Sequence, residues 1–219
     1  MGGDIDKRGV ERAYALWAPI YDFVFGKVFA PGRSEAIIAA EKVCGPSGGR
    51  ILEVGVGTGI SLPGYSAINK ITGVDISAPM LRKAQERVAE LGLTNIESLS
   101  VMDAENMAFA DHAFDVVVAQ FVITTVPHPE ETLDEFARLT RPGGEIILVN
   151  HIGADRGLRK LFEYCFSPIA RRLGWRPEFP FARISNWVER HGGVRLVERR
   201  PLPPLGNFTL IRFERLPAG

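Results

Sequence analysis

The chain is poor in cysteine and has no long apolar run. Its two cysteines, Cys44 and Cys165, stand far apart with no CxxC pair, so neither a disulfide framework nor a zinc site is expected. No uninterrupted apolar stretch approaches the roughly 18 residues that would cross a bilayer. Net charge is absent too: 26 Lys+Arg balance 26 Asp+Glu, which removes the global basic field of a nucleic-acid binder. Met1-Gly2-Gly3-Asp4-Ile5-Asp6 lacks the basic head and apolar middle of a secretory leader, and Asp6 stands where a myristoylation signal wants Ser or Thr. These absences predict a cytoplasmic chain with no metal and no nucleic-acid partner. Any electrostatic partner must be met by a local patch.

What is present is the composition of one globular unit, 219 residues with 46% hydrophobic and 24% charged residues and no repeat. From Arg50 onward, β-branched apolar runs alternate with helical patterns, the mark of a parallel sheet built from βαβ units. Strands are predicted at 50–54, 71–75, 96–101, 114–119 and 145–149, then at 194–198 and 208–213. Helices are predicted at 79–91, with Ser77 as N-cap and Gly92 as stop, at 129–139 and at 184–191. Before the sheet, residues 7–29 read as a helix bent at Pro19, followed by another over 31–43. The expected fold is α/β, a doubly wound, mostly parallel sheet. One domain divides into N-terminal amphipathic helices (1–47), a core (48–150), a helical insertion (151–183) and a final helix with strands (184–219).

Glu53-Val54-Gly55-Val56-Gly57-Thr58-Gly59 falls where the first strand turns into a helix, so a ligand can lie against bare backbone. A dinucleotide fingerprint would place its third glycine at position 60, which is Ile, and this counts against a pyrophosphate. Asp75 ends the second strand, near the spacing of a carboxylate that grips ribose hydroxyls. Asp103 closes the third, where an acid can accept from an adenine amine; either acid alone could be a helix N-cap, but in order with the glycine turn the two fit adenosine.

These residues, with Val74-Asp75-Ile76-Ser77, Met102-Asp103-Ala104, Phe114-Asp115-Val116-Val117 and Arg141-Pro142-Gly143-Gly144, resemble the successive motifs of class I S-adenosylmethionine methyltransferases. The resemblance implies S-adenosyl-L-methionine as cofactor. Gly55, Gly57 and Thr58 would lie beside its methionine part and Glu53 would hold its ammonium. Asp75 would take the ribose, Asp103 the adenine, and Ile76 and Ala104 the adenine slot, while Gln120 would stand near the reacting methyl. The rival enzyme reading is a nucleotide-sugar or NAD-dependent dehydrogenase, and a rival of another class is a non-catalytic membrane or protein-binding module that retains the fold.

Core motifs of this kind fix a donor and leave the acceptor open. Trp17-Ala18-Pro19-Ile20-Tyr21-Asp22 resembles the N-terminal pattern of two lipid-modifying families, the small soluble bacterial phosphatidylethanolamine N-methyltransferases and the quinone-biosynthesis C-methyltransferases. Arg33-Ser34-Glu35, Val149-Asn150-His151 and the basic insertion favour the phospholipid group, with the ubiquinone/menaquinone enzymes or a small-molecule amine methyltransferase as alternatives. Trp17, Phe23 and Phe25 are candidates to enter a membrane interface, unless they only pack on the domain. The segment 156–176 sets Arg156, Arg159, Lys160, Arg171, Arg172 and Arg176 among aromatics that include Tyr164, which would suit an anionic surface or equally a solvated helix face. Tyr21 and His151 are the catalytic candidates by resemblance, and Arg33, Arg171 and Arg172 the candidates for the lipid phosphate. The expectation is a cytoplasmic enzyme reversibly attached to the inner face of the membrane.

Overall fold

The computed structural model describes residues 21–152, 179–202, 206 and 208–217, with side chains described from Phe29 onward. Its elements in chain order are α1 (Tyr21–Cys44), β1 (Arg50–Val54), β2 (Lys70–Asp75), α2 (Ala78–Glu90), β3 (Ile96–Val101) and β4 (Phe114–Gln120). Then come α3 (Pro129–Leu139), β5 (Thr140–Asn150), α4 (Phe181–His191), β6 (Val194–Leu202) and β7 (Phe208–Arg215). The seven strands form one sheet in the order β3-β2-β1-β4-β5-β7-β6. The first five are parallel, and β7 runs antiparallel between β5 and β6.

Both faces of the sheet are covered, which explains why its central strands β1 and β4 carry apolar residues on both faces. On β4, Val116 and Val118 pack with Ala36, Ala39 and Ala40 of α1 and Leu81 of α2. Val117 and Ala119 turn the other way, onto Leu133 and Phe136 of α3 and Ile184 and Trp187 of α4. Helix α2 buries Met80, Leu81 and Ala84, an i, i+1, i+4 stripe, and stops as predicted, with Gly92 in the left-handed region at φ 59°. The indole of Trp187 donates to Asp134 at 2.7 Å, fastening α4 to α3.

Three sequence expectations are corrected. The break at Pro31 does not occur: α1 runs through it as one helix to Cys44. One lost backbone hydrogen bond is outweighed by packing, because Gly32 lets the helix lie on β4 and β5. A Cβ there would come within 2.9 Å of Val149 Cγ1 and 3.1 Å of the Phe121 ring. Strand β5 begins at Thr140, not 145, because Thr140 already pairs with Phe114 before the register shifts across Arg141-Pro142-Gly143-Gly144. Gly143 takes φ 75° there, and a Cβ on Gly144 would stand 2.4 Å from the Asp115 carbonyl. Ser77 occupies the N-cap position of α2, but its side chain makes no capping bond.

The segment between β3 and β4 has little regular structure and is held from below by α3. Glu135 accepts from Met107 N at 2.6 Å and pairs with Arg138 at 2.7 Å. Arg138 in turn donates to the carbonyls of Phe109 and Met107 at 2.9 and 3.0 Å. Glu135→Ala should therefore destabilise the fold by about 1–3 kcal/mol, since it strands the buried Met107 N–H and removes one of the two carboxylate partners of Arg138, which keeps Asp111. A urea titration checks this: a lowered midpoint with unchanged slope is expected, and an unmoved midpoint would show that the pin is dispensable.

Candidate active site

The site is built on the turn after β1. Gly55 N and Val56 N both donate to the Val74 carbonyl, at 2.8 and 3.0 Å, which locks the turn against β2. Gly55 sits at φ 72°, and a Cβ would come within 2.2 Å of Val122, so backbone geometry and close approach both demand glycine. Gly57 differs. At φ 57° its missing Cβ would meet nothing nearer than 4.0 Å, and its bare face lines a cavity.

Asp75, at the end of β2, joins two turns. One carboxylate oxygen accepts from Gly57 N and the other from Ser77 N, each at 2.8 Å. Burial raises its pKa, and the N–H groups of Ser77, Gly57 and Ile76 oppose that by favouring the charged form. Each oxygen keeps a lone pair for a hydroxyl from the cavity side. Past β3, Asp103 accepts from Glu105 N at 3.1 Å and closes a turn in which Asn106 N donates back to its carbonyl at 3.0 Å. No helix starts there, so the N-cap reading of Asp103 does not hold. Ile76, Met80, Met102 and Ala104 complete an apolar slot beside these acids.

Across the cavity stands the end of β4. Gln120 is a wall residue, 8% exposed, and its amide nitrogen lies 3.4 Å from Glu53 Oε1. Glu53 is 2% exposed, and its Oε1 also accepts from the Ser61 hydroxyl. Burial pushes its pKa up to about 7, against the hydroxyls of Ser61 and Tyr65 and the charge of Arg33. Phe121 follows at φ 63°, a strained position for a bulky side chain. Packing pays for it: the rings of Phe29 from α1 and Phe208 from β7 lie 4.4 and 5.1 Å from that of Phe121. The N-terminal helix is thereby packed against the cavity wall.

Of the residues singled out in the sequence, Gly55, Gly57, Asp75, Ile76, Asp103, Ala104 and Gln120 line this one cavity. Glu53 sits behind Gln120. Thr58 is turned elsewhere, 2% exposed, with its carbonyl taken by the Arg87 guanidinium. His151 follows β5 half-buried, and Arg33 is half-buried on α1, close enough to act on Glu53. Tyr21, Phe23 and Phe25 belong to the first turns of α1, their side chains outside the described set. Trp17, Tyr164, Arg171 and Arg172 lie outside the described residues. The sequence reading missed the 121–127 segment, of which Phe121, Val122, Thr125, Val126 and Pro127 form the cavity's far wall. Its signal was position alone, directly after a strand end in a sheet that binds ligands at its carboxyl edge. Among the described residues, Glu105, His128 and Glu131 bring possible ligand atoms within 4.8 Å of one another, with His128 Nδ1 3.2 Å from Glu105 Oε2 at the start of α3.

These residues fit S-adenosyl-L-methionine. The open face of Gly57 accepts a chain laid on backbone, Asp75 suits vicinal hydroxyls, and the slot beside Asp103 suits a flat base. The second oxygen of Glu53 and the carbonyl of Gln120 are buried and lack a hydrogen-bond partner of regular geometry, so acceptors and negative charge are on hand for a cationic ligand. Asp75→Ala should weaken binding of S-adenosylhomocysteine by ~1–3 kcal/mol, about 5- to 150-fold. Calorimetry checks this, and wild-type affinity in a folded variant would remove Asp75 from the site.

The comparisons with known proteins agree with that geometry. A family model described as a methyltransferase domain matches residues 52–148. The chain is 42% identical over 207 residues to a phosphatidylethanolamine N-methyltransferase of Cereibacter sphaeroides, covering 94% of this chain and 97% of the relative. It is 28% identical over 181 residues to the ubiquinone/menaquinone biosynthesis C-methyltransferase UbiE of Pseudomonas savastanoi pv. phaseolicola, covering 79% and 70% of the two chains. Among solved structures, the phosphoethanolamine N-methyltransferase 2 of Haemonchus contortus in complex with S-adenosyl-L-methionine superposes with a TM-score of 0.70 at 17% identity, covering 93% of this chain and 57% of that one. From its motifs, its sheet order and this kinship, the chain belongs to the class I S-adenosyl-L-methionine-dependent methyltransferases.

Proposed function

We propose that the chain methylates the amine of phosphatidylethanolamine, successively toward phosphatidylcholine, as a peripheral enzyme at a membrane surface. The observation that carries this reading is the reach of the 42% identity over 94% of the chain. It extends beyond 52–148, the core that fixes the donor, into the segments where acceptors are chosen.

When bound, S-adenosyl-L-methionine supplies a methyl group already activated on a cationic sulfonium, so the protein needs no strong nucleophile of its own. The work left to the chain is alignment and proton handling. Gln120 and Phe121, on the wall facing the glycine turn, border the reacting end. An ethanolamine amine titrates near lysine, about 10.4, and only on the order of one in a thousand carries a free lone pair at neutral pH. Tyr21 and His151 are assigned to orient that amine and pass its proton to water. Arg33, Arg171 and Arg172 are assigned to the lipid phosphate. Mono- and dimethylated amines keep a lone pair once deprotonated, which permits repetition; the trimethylated product does not.

No helix among the described residues is long and apolar enough to cross a membrane. A two-chain lipid must then be reached from the bilayer surface, with Trp17, Phe23, Phe25 and Tyr164 providing apolar grip and the basic insertion attraction to anionic lipid. The test uses purified chain, methyl-labelled S-adenosylmethionine and three acceptors: vesicles of phosphatidylethanolamine with graded phosphatidylglycerol, a demethylated quinone precursor, and free phosphoethanolamine. Label is expected in the lipid alone, with vesicle binding that strengthens with phosphatidylglycerol and fades with salt. Label in the quinone or the free amine, or no vesicle binding at any composition, would overturn the proposal.

A further inference from the structure

Two segments that line the cavity are joined outside it by one carboxylate. Asp103 and Ala104 come from the turn after β3, Val126 and Pro127 from the segment after β4. The residues that follow these two pairs, Glu105 and His128, meet each other. Glu105 Oε1 accepts from His128 N at 3.1 Å, and Oε2 lies 3.2 Å from His128 Nδ1. An ionised carboxylate only accepts, so the ring nitrogen is the donor. The Glu105 side chain is 9% exposed, which shields both bonds from competing water.

This clasp has a firm base and a defined target. At its base, the His128 carbonyl accepts from the N–H and the hydroxyl of Thr132, each at 3.0 Å, in the first turn of α3. At its target, Glu105 N donates to Asp103 Oδ1 at 3.1 Å, and Asn106 N to the Asp103 carbonyl at 3.0 Å. A displacement of residue 105 is therefore passed to the Asp103 carboxylate. Helix α3 holds the same segment again through Glu135 and Met107 N, but that contact lies past the turn and leaves the aim of the acid to Glu105. Glu131, 4.0 Å from His128 Nδ1, is largely exposed, and each Glu105 oxygen is already met by a donor, so the group needs no ion to hold it together.

We infer that Glu105 is a positioning residue for base recognition: clasped to His128, it aims the Asp103 carboxylate at the slot and so sets the preference for a base that carries an exocyclic amine. Neither Glu105 nor His128 lines the cavity, and both act through residues that do. The inference rests on the reading of Asp103 as acceptor for the adenine amine and is independent of the methyl acceptor.

Calorimetry with two probes tests it. S-adenosylhomocysteine presents an amine on its base, and S-inosylhomocysteine presents in its place a carbonyl oxygen, which a carboxylate repels. The wild type should favour the first. Glu105→Ala should cut that preference by about tenfold, mainly through weaker binding of S-adenosylhomocysteine. Glu105→Gln should keep it, because the amide oxygen still accepts from His128 N while the amide nitrogen donates to Nδ1 in the other tautomer. Equal loss for both probes in Glu105→Ala would mean that the residue only keeps the cavity folded, and an unchanged preference would mean that Asp103 is aimed without it; either overturns the inference. A loss in Glu105→Gln as large as in Glu105→Ala would place the effect in the charge and overturn the clasp. If Glu105→Ala does not fold, His128→Ala decides, since it keeps the backbone bond and removes the ring: a selective loss is expected, and equal loss or none contradicts the inference. A wild type without any preference would refute the reading of Asp103 itself, and the inference with it.

Discussion

The carboxylate of Asp75 is the tie on which the site depends. Its oxygens take Gly57 N–H from the turn after β1 and Ser77 N–H from the turn before α2, each at 2.8 Å. A single carboxyl group thus fixes the spacing between a glycine face and an apolar slot that belong to the turns after two different strands. The tie is possible because β1 and β2 are neighbours in a parallel register, with Val54 beside Val74, so that their turns emerge together at one edge. Asp103 extends the same edge by one strand, and the Glu135–Arg138 pair holds its segment from the opposite side. This end of the cavity therefore rests on backbone turns held by carboxylates.

The opposite wall is made differently. Phe121 holds a left-handed backbone that no sequence pattern announces, and three aromatic rings from α1, the β4 end and β7 hold it there. These rings meet from positions 29, 121 and 208, a convergence visible only after the sheet order is known. Glu105 and His128 escaped notice for the same reason, since each reads as an ordinary loop residue until the other is seen beside it. By contrast, the gathering of Gly55, Gly57, Asp75 and Asp103 at one cavity was legible because it depends on local conformation and on strand ends, both of which sequence encodes directly.

The same division runs through the fold. The five parallel strands and α2, α3 and α4 could be read from periodicity and stop signals, while the course of α1 through Pro31 and the early start of β5 could not. In both cases a long-range contact overrides a local rule: Gly32 seats α1 on Phe121 and Val149, and Thr140 pairs with Phe114 before the Pro-Gly-Gly turn. Thr58 shows the reverse, a motif residue drawn to Arg87 and away from the cavity.

A core so closely fitted to the donor says little about the acceptor, and the proposal on that point draws on the parts of the chain that flank it. Its most direct test is expression in a bacterium whose membrane contains phosphatidylethanolamine and no phosphatidylcholine, followed by mass spectrometry of the total lipid. The account predicts new species heavier by one, two and three methyl groups in the phosphatidylethanolamine series, absent when Asp75 is replaced by Ala. An unchanged phospholipid profile in cells that contain folded, S-adenosylmethionine-binding protein would contradict it.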